Sequence, residues 1–202
     1  MDAEDFARVT GMAPETVEKI ERFVALLEKW QSKKNLVGKS TIPDVWHRHI
    51  LDSAQLAPLV LGIPGKIVDI GSGAGFPGLL LAIITGRNVD LIESDTGKCA
   101  FLAEAARATD APVTIINRRI ESVTDSKFSV VMARAVAPLV ELIGLAKPIM
   151  EPDGVCFFLK GQKVSDELTK ALKSWKMIVT RIPSVTDKDA TVLKLENIER
   201  KP

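Results

Sequence analysis

The sequence predicts an α/β fold: a doubly wound, mainly parallel, Rossmann-like sheet carrying an N-terminal helical cap. Three observations lead there. After Gly62-Ile63-Pro64-Gly65 the chain alternates short apolar runs with helical segments, the pattern of right-handed strand–helix–strand crossovers. The runs are apolar throughout rather than alternating with polar residues, as parallel strands covered on both faces should be. The first run ends in a glycine-rich loop that opens a helix, Asp69-Ile70-Gly71-Ser72-Gly73-Ala74-Gly75-Phe76-Pro77-Gly78. That places a ligand-binding turn at the carboxyl end of a strand.

In chain order, residues 14–31 set Val17, Ile20, Val24 and Leu27 at helical spacing, with Phe23 and Trp30 beside them and Pro14 suited to a first turn. A second helix is expected from Pro43 to Val60. Residues 1–62 form the cap and residues 63–202 the core, packed together as one unit. Core strands are expected at Lys66–Ile70, Val89–Ile92, Val113–Asn117, Phe128–Ala133 and Gly154–Leu159. Helices fall between and after them at Pro77–Thr85, Gly97–Thr109, Pro138–Met150 and Val164–Ser174. Two further strands, near Lys176–Arg181 and Thr191–Leu195, are joined by a turn-rich segment that suits an antiparallel hairpin closing the sheet.

Bulk properties narrow the function. A chain of 202 residues, 46% hydrophobic and 26% charged, is globular and long enough to bury a core. Its longest apolar stretch, Leu79–Ile84, is too short to span a bilayer. The acidic start, Met1-Asp2-Ala3-Glu4-Asp5, is not followed by an apolar signal core, so the cytoplasm is the expected compartment. The net charge of +1 leaves nucleic-acid binding to a local basic patch. Two distant cysteines, Cys99 and Cys156, read as small buried hydrophobes, and two histidines, His47 and His49, make a multi-histidine metal site unexpected.

The glycine loop points to a nucleotide-like cofactor. Gly73, Gly75 and Gly78 fit the dinucleotide spacing, and Glu93 closes the next strand where an acid can take ribose hydroxyls. On those features alone a nicotinamide oxidoreductase is a fair rival. Asp69, just before the glycines, favours S-adenosylmethionine, because a carboxylate there can receive the ammonium of an amino-acid cofactor. The Asp-x-Gly-x-Gly-x-Gly order resembles the first motif of class I methyltransferases. A non-catalytic RNA-binding or assembly factor is a further alternative; intact Asp69, Gly71, Gly73, Gly75 and Glu93 argue against it.

The other strand ends supply the remaining candidates. Ile120 and Glu121 follow the third strand, where an adenine ring would pass. Arg134 ends the fourth, and its guanidinium needs a partner: a cofactor carboxylate, an RNA phosphate, or a protein carboxylate such as Asp69. Lys160 and Lys163 flank a glycine after the fifth. In the cap, Arg48, His49 and Asp52 stand within one short stretch, with Arg48 and Asp52 spaced to pair. Periodicity alone favours a merely solubilising role for them.

Taken together, Asn35-Leu36, Arg48-His49-Ile50-Leu51-Asp52-Ser53, the glycine loop with its Phe76-Pro77-Gly78 ending, Arg134-Ala135 and Leu159-Lys160-Gly161 resemble the bacterial small-subunit ribosomal RNA guanine-N7 methyltransferases, the RsmG or GidB family, over nearly the whole chain. The resemblance implies S-adenosylmethionine as cofactor, small-subunit ribosomal RNA as partner, and cofactor contacts at Gly71, Phe76, Ile120, Glu121 and Arg134. Val37 and Glu93 depart from the Thr and Asp frequent in that family; the second keeps the charge. Guanine N7 needs no deprotonation before attack, so no strong base is expected. Arg134, His49 and Asp52 are then candidates for positioning, and Arg48, Arg119, Lys160 and Lys163 for holding RNA. A monomer without metal is expected.

Overall fold

The computed structural model describes residues 1–202. Its strands are β1 (Ile67–Ile70), β2 (Val89–Ile92), β3 (Val113–Ile116), β4 (Phe128–Arg134), β5 (Met150–Lys160), β6 (Trp175–Pro183) and β7 (Thr191–Arg200). They form one sheet in the order β3-β2-β1-β4-β5-β7-β6. The first five pair in parallel, and β7 runs antiparallel between β5 and β6. The strand order reverses between β1 and β4, so the crevice at their carboxyl ends is the natural ligand site.

The helices are α1 (Ala3–Thr10), α2 (Pro14–Gln31), α3 (Asp52–Ala54), α4 (Ala57–Leu61), α5 (Gly78–Thr85), α6 (Thr96–Thr109), α7 (Leu139–Ala146) and α8 (Val164–Ser174). Side chains alternate across each strand, and the two faces build separate cores. Ile67, Leu91, Met132 and Phe157 pack with α5, α6 and the cap. Val68, Ile70, Val131 and Phe158 pack with α7 and α8. Helix α5 is buried along nearly its whole length, because the sheet covers one side and α2, α3 and α4 cover the other. Its uniformly apolar sequence follows from that position.

The cap departs from expectation in two ways. An unanticipated first helix, α1, is capped by Asp2, which accepts from Asp5 N at 2.9 Å, and stopped by Gly11 in the left-handed conformation. The single helix expected over Pro43–Val60 is broken into a 3-10 segment (Lys39–Asp44), a π-helical turn (Trp46–Leu51), α3 and α4. Pro43 lies within the first piece and Pro58 in the first turn of α4, where the ring's missing N–H interrupts continuous bonding. Strand β3 is only half buried, since it is the sheet's edge.

Cap and core share one hydrophobic cluster. Phe23 of α2 is fully buried, its ring 5.2 Å from Phe76 and 6.2 Å from Phe101. Polar ties reinforce the packing: Trp30 Nε1 donates to Glu104 at 2.9 Å, and Lys34 pairs with Asp95 at 2.8 Å. Phe23→Ala is therefore expected to cost about 3–5 kcal/mol in a single denaturant transition seen alike by tryptophan fluorescence and circular dichroism. Two separated transitions in the wild type would mean that cap and core fold independently.

Candidate functional site

The site is built from the end of β1 upward. Asp69 is wholly buried. One carboxylate oxygen accepts from Gly78 N at 3.0 Å, and the other has no partner. A Cβ on Gly78 would stand 2.6 Å from Asp69 Cβ and 2.5 Å from Leu91 Cδ2, so only glycine allows α5 to start this close to the strand. Burial pushes the Asp69 carboxyl up to about 7, against the hydrogen bond from Gly78, while Ser72 Oγ donates to the Asp69 backbone carbonyl at 2.9 Å. Asp69 thus lies behind the loop, with no surface on the cleft. The geometry makes it the loop's anchor and does not support the expected contact with a cofactor ammonium.

Above it, Gly71 takes φ +68, and a Cβ there would come 2.7 Å from Val136. Val136 is held in place by Ala135, a non-glycine residue at φ 54 directly after Arg134, a strained conformation that persists only where surroundings enforce it. Gly73 N donates to Glu93 Oε2 at 2.9 Å, and Asp95 N to Glu93 Oε1 at 2.8 Å. A carboxylate has about four acceptor sites, so Glu93 keeps capacity for two ribose hydroxyls. Asn117 Nδ2 donates to Glu93 O at 3.0 Å, tying the loop after β3 to this acid. Beyond it, Ile120 is half-buried against the opposite core and Glu121 is exposed. Neither they nor Glu93 line the main cleft.

That cleft measures about 660 Å³ and lies between the glycine loop, the cap, the end of β4 and the β6–β7 turn, within the size range of small-molecule sites. Arg48, His49 and Asp52 face it together. The solubilising role favoured by periodicity gives way here, because the π-helical turn shifts the register of bonding and re-aims these side chains. His49 stacks on Phe76 at 5.1 Å, and the Arg134 guanidinium lies 5.0 Å from the same ring's centroid.

Arg134 Nη1 donates to Arg48 O at 3.2 Å and to Asp52 Oδ2 at 3.4 Å. Its carboxylate partner is therefore Asp52 rather than Asp69, and Arg48 contributes its carbonyl instead of pairing with Asp52. Burial pulls the guanidinium below its ordinary value and Asp52 opposes the shift; the group stays charged. Asp52 Oδ1 also accepts from Gln55 at 3.0 Å and from Thr186 Oγ1 at 2.9 Å.

Thr41 Oγ1 donates to Gly38 O at 2.7 Å. Its single proton is thereby used, so the 2.6 Å contact with His49 assigns Nε2–H as the donor. Nδ1 is left as a buried, unpartnered lone pair. Burial first, then the Arg134 and Arg48 charges, lower the His49 pKa to about 3.

Of the proposed RNA contacts, Arg119 and Lys163 are exposed, and Arg48 is exposed at the rim of the cleft. Lys160 lines the cleft, but its ammonium is already engaged, paired with Glu167 at 2.7 Å and donating to Ala137 O at 3.0 Å, which leaves one of its three N–H groups for a phosphate. Thr41, Gln55 and the β6–β7 turn were not singled out by sequence. Gln55 and the turn meet across more than a hundred residues, for which the turn-rich segment alone gave no signal, and Thr41 gains its role from a 3-10 segment that periodicity did not predict. No cluster of three or more His, Cys, Asp or Glu side chains is placed to hold a metal ion, and no helix is long and apolar enough to cross a membrane.

Comparison with known proteins agrees with this geometry. The family model described as rRNA small subunit methyltransferase G, GidB, matches residues 16–193. The ribosomal RNA small subunit methyltransferase G of Paramagnetospirillum magneticum is 48% identical over 200 residues, covering 99% of this chain and 98% of that protein. That of Gluconobacter oxydans is 48% identical over 193 residues, covering 95% and 99%. Among solved structures, the glycopeptide N-methyltransferase MtfA complexed with S-adenosyl-L-homocysteine superposes with a TM-score of 0.60 at 11% identity, over 73% of this chain and 89% of that one. M. jannaschii TYW2 in complex with AdoMet gives 0.57 at 17% identity, over 76% of each chain. At such identities the likeness speaks for the Rossmann-like methyltransferase fold.

The two buried titrating groups should leave opposite marks on stability. His49 titrates at about 3 in the folded chain against 6.5 ordinarily, so its contribution is present above pH 6.5 and is lost as pH falls. Asp69 titrates at about 7 against 3.8, so its contribution is present at low pH and is lost as pH rises through 4 to 7. Between pH 4 and 6.5 the cost of His49→Gln should grow with pH by up to about 1.4 kcal/mol per unit, while Asp69→Asn should gain on the wild type by up to a similar slope. Urea melts across that range check both; a pH-independent cost for either variant removes that group's assigned shift.

Proposed function

The chain belongs to the rRNA small subunit methyltransferase G family, and from that premise we propose how its cleft performs the reaction. It is an S-adenosylmethionine-dependent methyltransferase of small-subunit ribosomal RNA. We infer that the acceptor is N7 of a guanine and that the enzyme acts as a monomer in the cytoplasm. The observation that carries this reading is the single cleft in which the glycine loop and the cap's Arg48, His49 and Asp52 face each other around Arg134. One chain completes it.

The residues present fit the cofactor. Gly71, Gly73 and Phe76, which line the cleft, would cradle its methionine end, with Gly75 closing the turn behind them; its nucleoside would extend past the loop, outside the cleft, where Glu93 would accept the ribose hydroxyls and Ile120 and Glu121 would flank the adenine. Arg134 reaches its protein partners only through Nη1, so its other N–H groups are available to the methionine carboxylate. When bound, the cofactor supplies an electrophilic methyl group on a sulfonium.

The chain's own contribution is alignment and exclusion of water. Phe76 and His49 form an apolar, stacked wall, and the Ala135–Val136 turn covers the loop. His49, with a pKa of about 3, is too weak a base to deprotonate an acceptor near neutral pH. That favours an acceptor with a lone pair ready for attack, as guanine N7 has on its exposed Hoogsteen edge. Arg48, Arg119 and Lys163 would hold RNA phosphates, and an accessible loop base is preferred over a regular duplex.

Two measurements test this. Labelled S-adenosylmethionine should methylate small ribosomal subunits from cells lacking the protein at one guanine, at N7; label at another atom overturns the acceptor assignment. Glu93→Gln sets an amide N–H against a backbone N–H and should weaken cofactor binding by about 1–3 kcal/mol by calorimetry. Wild-type affinity would remove Glu93 from the cofactor site.

A further inference from the structure

The turn between β6 and β7 forms a wall of the cleft, with Ser184, Thr186, Asp187 and Ala190 facing it, yet nothing in the reaction as derived so far uses it. Its contacts are specific. Thr186 Oγ1 donates to Asp52 Oδ1 at 2.9 Å and shares a 2.9 Å hydrogen bond with Ser184 Oγ. Gln55 bridges the same elements: its Nε2 donates to Asp52 O at 2.7 Å and to Asp52 Oδ1 at 3.0 Å, and its Oε1 accepts from Val185 N at 3.2 Å. The Thr186 hydroxyl and the Gln55 amide thus meet on one oxygen of the carboxylate whose other oxygen faces Arg134.

Arg134 lies over Phe76 and is paired with Asp52. Its two protein hydrogen bonds are long, at 3.2 and 3.4 Å, and both use Nη1. An aromatic face attracts a guanidinium without setting the direction of its fork, which a neighbouring charge must then fix. Asp52 can do so only if its own rotamer is fixed, and the groups that fix it come from the cap and from the β6–β7 turn.

We propose that Thr186 is a positioning residue for cofactor binding: its hydroxyl orients Asp52, which in turn aims Arg134 at the carboxylate of the amino-acid end of the cofactor. This rests on the reading of Arg134 given above. It makes the β6–β7 turn, distant in sequence from the glycine loop, part of the cofactor's recognition. The hydroxyl is the working group, and the threonine methyl is not.

The test uses two ligands that differ in the group at issue. S-adenosylhomocysteine carries the amino-acid carboxylate; 5′-methylthioadenosine keeps the nucleoside and lacks it. Calorimetry on the full chain should show Thr186→Val binding S-adenosylhomocysteine about fivefold to tenfold more weakly, the net scale of one ordinary hydrogen bond, since Thr186 acts on the ligand only through Asp52 and Arg134. Binding of methylthioadenosine should stay within about twofold, and Thr186→Ser should restore both. Arg134→Ala, measured alongside, should lose affinity only for S-adenosylhomocysteine.

If Arg134→Ala shows that loss while Thr186→Val binds like the wild type, the inference about Thr186 falls and the reading of Arg134 stands. If Arg134→Ala binds S-adenosylhomocysteine normally, both fall. Equal weakening of the two ligands by Thr186→Val would mark a merely structural role and also overturn the proposal.

Discussion

The site depends first on a carboxylate that no solvent reaches. Asp69 lies one residue before the end of a fully buried strand and gives one oxygen to the first amide of α5. Strand, loop and helix are thereby drawn so close that the helix can begin only with glycine. The loop between them has little freedom left. Glu93 holds it from the other side by accepting from Gly73 and Asp95. Two acids, one behind the loop and one beside it, spend part of their accepting capacity on backbone amides, so the binding surface is formed before any ligand arrives. Little ordering then remains to oppose binding.

Phe76 extends that order into the cap. Its ring meets Phe23 of α2, the stacked imidazole of His49 and the guanidinium of Arg134. One aromatic side chain on the glycine loop thus touches the hydrophobic core, the π-helical turn and the end of β4. A continuous α-helix across residues 43–60 would carry His49 and Asp52 at ordinary helical phase. The π-helical turn alters that phase, and local departures of this kind tend to occur where function needs a side chain re-aimed. The buried Arg134 charge is tolerable because Asp52 and a backbone carbonyl answer it.

How much of this was legible in the sequence follows from the range of the interactions. The parallel strands, the glycine loop and Glu93 are local patterns, a period, a turn chemistry and a spacing, and each can be read from a few consecutive residues. The closing hairpin was legible for the same reason. The broken cap helix was not, because periodicity over Pro43–Val60 sums apolar residues without registering where bonding switches from one ladder to another. Asp69 misled in an instructive way. Its position before the glycines is right for a ligand contact, but its depth is set by Gly78 and Leu91 on neighbouring elements, which spacing does not encode. Lys160 misled for the opposite reason: a lysine beside a glycine reads as exposed until Glu167, on α8, claims it. Thr186 carried no local signal at all, since its meaning lies in Asp52.

The distribution of titrating groups also bears on the chemistry. The acids and the histidine that surround Arg134 and the glycine loop are committed: Asp69 is enclosed, Glu93 is bound to amides, Asp52 to Arg134, Gln55 and Thr186, and His49 is kept neutral by burial and by two adjacent cations. A site that had to remove a proton from its acceptor would need one of these groups accessible and poised near neutrality. Asp69 has the pKa but no access, and His49 has a place at the cleft but not the basicity. Such a site suits a nucleophile that arrives already competent, and its rate advantage must come from holding nucleophile, methyl and sulfur in line in a dry pocket. The same commitments explain why so much of the structure is devoted to fixing Arg134 and the glycine loop: where no proton is to be moved, geometry is what the protein has to supply.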